Sequence, residues 1–113
     1  MHEVGIMQST LDIALEHARK QGATRIHRIV LRVGELSGVV PEALSFAFDV
    51  VMQGTIAENA QLQIDYLPIL CYCSTCQQEF QPTDWIFECP HCHQLCTEIR
   101  QGKELELSSM EVS

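Results

Sequence analysis

Residues 71–96, CYCSTCQQEFQPTDWIFECPHCHQLC, decide how the chain is organised. They hold all six cysteines and two of the five histidines, with few aliphatic side chains. The cysteines form two pairs, Cys73-Ser-Thr-Cys76 and Cys89-Pro-His-Cys92. Zinc favours four soft or borderline ligands in a tetrahedron. Each CxxC turn aims two thiolates at one ion, and two such turns close the shell. The spacing therefore predicts one structural zinc ion on Cys73, Cys76, Cys89 and Cys92. Its rivals are buried thiols without metal and a rubredoxin-like iron site. The segment between the pairs is long enough for a hairpin, with Phe80, Trp85 and Phe87 expected beneath the metal. Cys71 and Cys96 are expected outside the primary shell, Cys71 on the opposite side of the extended chain from Cys73. His91 reads as an exposed residue on a knuckle. His93, directly after the last ligand, is a candidate contact for a second metal or a substitute zinc ligand.

Outward from this segment the chain reads differently. Residues 61–67, QLQIDYL, alternate polar and apolar, as a half-buried strand does. Residues 103–107, KELEL, alternate the same way, with a possible extension to Val112, and the two strands are expected to pair in one sheet. Residues 4–21 read as a helix whose apolar face carries Val4, Met7, Leu11, Ala14, Leu15 and Ala18, with Gly22 as its stop. Residues 25–34 read as a strand with Ile29, Leu31 and Val33 on one side. A loop from Gly34 leads to a second helix from Pro41 to about Met52, with Leu44, Phe48 and Val51 on one face. Gly34 and Gly54 are read as turn residues. The expected fold is α+β: a small three-stranded sheet with two helices, and a zinc-ribbon module inserted before the last strand. The boundaries are 1–69 with 100–113 for the first domain and 70–99 for the ribbon.

The formal net charge is −8 over 113 residues. That balance argues against a nucleic-acid partner, which is held by Lys and Arg displacing counterions from phosphates. No targeting signal is legible at the start, and no run approaches the roughly 18 apolar residues of a membrane span. A cytoplasmic protein is expected, in which reduced cysteines point to metal rather than disulfides. No nucleophile–base pair, glycine-rich phosphate loop or paired carboxylates stand out, so no enzymatic activity is expected.

The chain opens Met1-His2-Glu3. A free amine, the His2 amide nitrogen and the His2 imidazole can chelate one ion through fused rings, with Glu3 supplying a fourth donor. Such a planar set suits Ni(II) or Cu(II). Taken alone, the three residues read as an ordinary chain end. Other segments change that. VGELSGVVPEALSFAFDVV at 33–51, GTIAENAQLQI at 54–64, the two CxxC pairs and GKELELSSMEV at 102–112 follow in order. Together with the start, they resemble the HypA/HybF family of nickel metallochaperones over essentially the whole chain. The resemblance implies a nickel site at Met1, His2 and Glu3, with His2 indispensable, and a structural zinc on the four paired cysteines. It also implies a HypB-type GTPase as partner and the hydrogenase large subunit, and in some bacteria urease, as client. A monomer or weak homodimer is expected. Some relatives carry a histidine after each CxxC pair; here Gln77 follows the first and His93 the second. The rival class is a zinc-ribbon interaction adaptor without a second metal.

Overall fold

The computed structural model describes residues 2–113. Its elements are α1 (His2–Lys20), β1 (Ile26–Gly34), α2 (Pro41–Val51), β2 (Gln61–Leu67), β3 (Leu70–Cys73), β4 (Gln78–Phe80), β5 (Glu98–Gln101) and β6 (Leu105–Val112). Helix α1 buries Met7, Thr10, Leu11, Ala14 and Ala18, the three-and-four spacing of a single helical face. Thr10 satisfies its hydroxyl within the helix by donating to the Ile6 carbonyl at 2.9 Å. The chain leaves α1 through Gly22 at φ +68, a backbone conformation natural to glycine. The helix starts two residues earlier than the apolar pattern predicts. His2 and Glu3 lie in its first turn, where periodicity gives no signal because both are polar and neither is buried in the core.

β1 is the centre of the first sheet, in the order β2-β1-β6. Ile29, Leu31 and Val33 are fully buried on one face, beneath Met7 and Leu11 of α1 and Leu44 and Phe48 of α2. β2 runs parallel to β1, with Leu31 opposite Ile64, and β6 runs antiparallel to it. Parallel neighbours need a crossover, and α2 supplies it. Pro41 opens that helix with its φ already set, and Glu42 sits at the positive end. The opposite face of β1 carries Arg28 and Arg32, paired to Glu111 at 3.6 Å and Glu106 at 3.1 Å on β6.

Two expectations change here. β2 and β6 share a sheet but do not pair; β1 lies between them because it is the most apolar strand and belongs in the centre. The last strand begins at Leu105 rather than 103. Its register shifts between Val30 and Leu31, where Leu31 pairs with Leu107 and Val30 with Ser109. Ser108 is the extra residue of a bulge, so Leu107 and Met110 both reach the core although they are three apart.

The second sheet, β4-β3-β5, is antiparallel throughout; β3 holds Cys71 and Cys73, and the other four cysteines lie outside its strands. The two sheets join at a neck where Pro68–Ile69 leaves and Gln101–Glu104 returns.

Candidate metal centres

β3 and β4 form a hairpin with Cys73 at the end of β3, opposite Gln78, and Cys76 in the turn. Cys89 and Cys92 form the facing turn, closed by Cys89 N–H donating to Gln94 O at 2.8 Å and His93 N–H donating to Cys89 O at 2.9 Å. Both knuckles end on a left-handed residue directly after the second cysteine: Gln77 at φ 53 and His93 at φ 64. That twist lets the backbone curl around the sulfurs. Cys73 and Cys89 are buried, while Cys76 and Cys92 are half-buried.

The four sulfurs all lie within 4.8 Å of one another. Cys73 Sγ and Cys92 Sγ are 3.4 Å apart, and Cys76 Sγ and Cys89 Sγ 3.9 Å. A tetrahedron with zinc–sulfur bonds of about 2.3 Å has edges of about 3.8 Å, so the cluster has the size of a zinc shell. Four adjacent thiols do not all ionise unaided. The N–H groups of Cys92 and His91 hold the Cys89 thiol down to about 6. Cys76, hydrogen-bonded to the Cys92 sulfur and desolvated, is pushed up to about 12. A dication relieves this conflict by taking all four as thiolates. Four protein ligands fill a tetrahedral shell and leave no position for a reacting water, so the cluster suits a structural ion.

The surroundings differ in part from what the sequence suggests. Phe80 and Phe87 are half-buried, but Trp85 is 63% exposed. It sits with Asp84 in a two-residue turn at positive φ, closed by Ile86 N–H donating to Thr83 O at 2.9 Å. This hairpin tip presents the indole to solvent instead of tucking it under the metal. Cys71 shares the buried face of β3 with Cys73, as residues two apart on a strand must; the expectation of an opposite face fails on strand periodicity. Cys71 and Cys96 nevertheless stay outside the four-sulfur group. Burial first, and the Cys96 sulfur second, push the Cys71 thiol up to about 12.

His91 is exposed. His93 is also exposed and meets Glu88 through Nδ1 at 3.0 Å. At the other candidate centre, His2 is exposed and Glu3 half-buried in the first turn of α1. Met1, the remaining member of that set, lies outside the described residues. The first N–H groups of a helix have no partner within it, so the His2 amide has no helical hydrogen bond to break when it binds a metal.

A family model described as hydrogenase/urease nickel incorporation metallochaperone, HypA, matches residues 1–112. The chain belongs to the HypA family. Among its HypA relatives, a hydrogenase maturation factor HypA from a Picosynechococcus species is 53% identical over 112 residues, covering 99% of each chain. The fold is similar to a solution structure of a HypA protein, with a TM-score of 0.74, 30% identity and coverage of 100% of this chain and 97% of that one. It is also similar to the solution structure of the Ni metallochaperone HypA from Helicobacter pylori, with a TM-score of 0.68, 28% identity and coverage of 97% and 96%. The HypA family is one of metallochaperones rather than enzymes.

The neck of this HypA-family chain holds residues to which the sequence reading gave no special role. The Glu35 carboxylate accepts the Ile69 N–H at 3.0 Å, and Leu36 N–H donates to Gly102 O at 2.7 Å. Gly34 is not a turn residue: its φ is −85. It is glycine because a Cβ there would collide with the Gly102 carbonyl. The adjacent Gly-Glu in VGEL was the only signal, and its partner lies far along the chain. No helix among the described residues is long and apolar enough to cross a membrane.

Proposed function

We propose that this HypA-family chain is a cytoplasmic nickel carrier that binds Ni(II) through the Met1 amine, the His2 amide and imidazole, and Glu3. It delivers the ion for maturation of [NiFe]-hydrogenase, with urease as a second possible client. The single observation carrying this reading is an exposed His2 in second position, at a helix start whose N–H groups have no partner within the helix. Few protein ligands at an exposed site allow fast exchange, which a carrier requires. Cys73, Cys76, Cys89 and Cys92 hold a structural zinc ion that replaces the apolar core a ribbon of this size cannot build. His93 is the alternative nickel contact. Its proximity to the zinc knuckle favours that role, and its pairing with Glu88 opposes it.

Residues 1–69 with 100–113 then form the nickel domain, and 70–99 the zinc domain. A HypB-type GTPase and the hydrogenase large subunit are the partners this role calls for, with the carrier itself a monomer or weak homodimer. The rival is an adaptor that docks through the exposed Trp85, Ile86 and Leu95 of the ribbon and carries no nickel.

Equilibrium dialysis with Ni(II) on untagged protein separates the two. Wild type should bind nickel, while His2→Ala, or wild type with residues added before Met1, should lose the specific site and keep zinc and fold. An extended protein that binds as tightly as the untagged one would sink the terminal site and turn attention to His93.

A further inference from the structure

Helix α2 turns one face to the core and leaves the other without a partner. Leu44, Ala47 and Phe48 are buried, while Phe46 is 68% exposed and Val50 51%. Phe46 and Val50 are four residues apart, and half-buried Ala43 is three before Phe46, so the three form one apolar ridge along the helix. Glu42 and Asp49, seven apart and both exposed, run beside it. Neither carboxylate is compensated. The chain has no Lys or Arg between Arg32 and Arg100, although nine Asp and Glu residues lie there. Glu42 and Asp49 form no ion pair among the described residues. Asp49 is also in the last turn of α2, which holds no basic residue and is the negative end of the helix dipole. A phenyl ring in water and a carboxylate at the wrong end of a helix both work against the protein on its own.

We propose that this face of α2 docks a basic amphipathic helix of a partner protein, whose apolar stripe packs on Phe46 and Val50 and whose Lys and Arg side chains reach Glu42 and Asp49. Both conflicts are then resolved together. The ring leaves water, and a cation from the partner supplies the charge that the last turn of α2 lacks. Phe46, at the middle of the ridge, is the anchor, and the two carboxylates steer the approach and fix its orientation. A second copy of this chain is a poor occupant. Of its seven cations, Arg19, Arg28, Arg32 and Arg100 are already paired to carboxylates. Two α2 faces brought together would set acid against acid. An anionic membrane surface is repelled by the same charges. The surface shares no residue with either metal centre, so it stands or falls separately from the terminal nickel site.

The test titrates the full zinc-loaded chain with a synthetic helical peptide that carries a leucine stripe edged by lysines, followed by amide NMR shifts. A control peptide has glutamate in place of every lysine. The lysine peptide should bind saturably, with its largest shifts over α2, and should weaken as salt is added. The glutamate peptide should not bind. Phe46→Ala should lose about thirtyfold in affinity, as removal of a central anchor does. Asp49→Asn should bind more weakly and with less salt dependence, yet unfold at an equal or higher temperature, because the dipole conflict is gone. A merely structural Asp49 would not give that opposite pair of changes. Circular dichroism and zinc content check that each variant is folded, and should one fail, the wild-type shift map decides. The proposal is overturned if the lysine peptide does not saturate, or if the glutamate peptide binds as well. Shifts centred on Trp85 or on the groove between α1 and β6 overturn it too. So does self-association in sedimentation that Phe46→Ala abolishes, which would make a second copy the occupant.

Discussion

Gly34 occupies the last position of β1, and the missing side chain is what lets the returning chain at Gly102 lie against it. Both partners in that contact are backbone, so neither can turn aside as a flexible side chain would. Gly34→Ala should therefore cost about 3 kcal/mol, the upper end of ordinary overpacking, read as a fall in the denaturant midpoint with zinc still bound. A glycine in sequence offers two readings, a turn or a close approach. Only the partner decides between them, and Gly102 is too distant along the chain for any local pattern to supply it. The paired cysteines are the opposite case. Their spacing encodes a short-range geometry, and the sulfurs do converge. An amine and an imidazole must shed protons to hold nickel, so the proposed terminal site carries a pH dependence. Uptake should accordingly weaken as the pH falls from mildly alkaline to mildly acidic, and a flat isotherm series across that range would count against those donors.

The elements of the first sheet were largely legible, because each carries its own periodicity: α1 in the spacing of Met7, Leu11, Ala14 and Ala18, β1 in Ile29, Leu31 and Val33. Their arrangement was less so. That β1 sits between β2 and β6 depends on pairing partners, and the bulge at Ser108 breaks the alternation that would otherwise place the last strand. The knuckles add a feature that spacing does not encode. Each closes on a left-handed residue, a conformation uncommon for Gln77 and adopted more readily by His93, though both carry a Cβ there. His93→Gly removes the Cβ conflict there, worth up to about 1 kcal/mol, along with an exposed imidazole. The variant should retain its zinc with equal or slightly higher thermal stability, and it should bind nickel as wild type does if the terminal site carries the metal. Reduced nickel uptake in that variant would assign His93 a share of the cargo.

At the scale of the whole molecule, two sheets are stabilised in different ways. The first buries a continuous apolar core between β1 and the two helices, whereas the second, among the described residues, has no such cluster and instead brings four cysteine sulfurs together. Cys73→Ser should release the zinc, whose binding contributes on the order of 10 kcal/mol in small modules, and unfold the second sheet. Helical circular dichroism, which arises from α1 and α2, should persist. Loss of both signals together would mean that the first sheet leans on the second. The molecule is long, 54 × 28 × 17 Å, and the joint between its halves is narrow, yet the departing and returning strands meet there, with Gly102 close against Ile69. An insertion whose entry and exit adjoin is, topologically, a cassette. Splicing at such a seam leaves the host ladder uncut, so recombination can lengthen, exchange or discard the appended piece in one event without disturbing the helices.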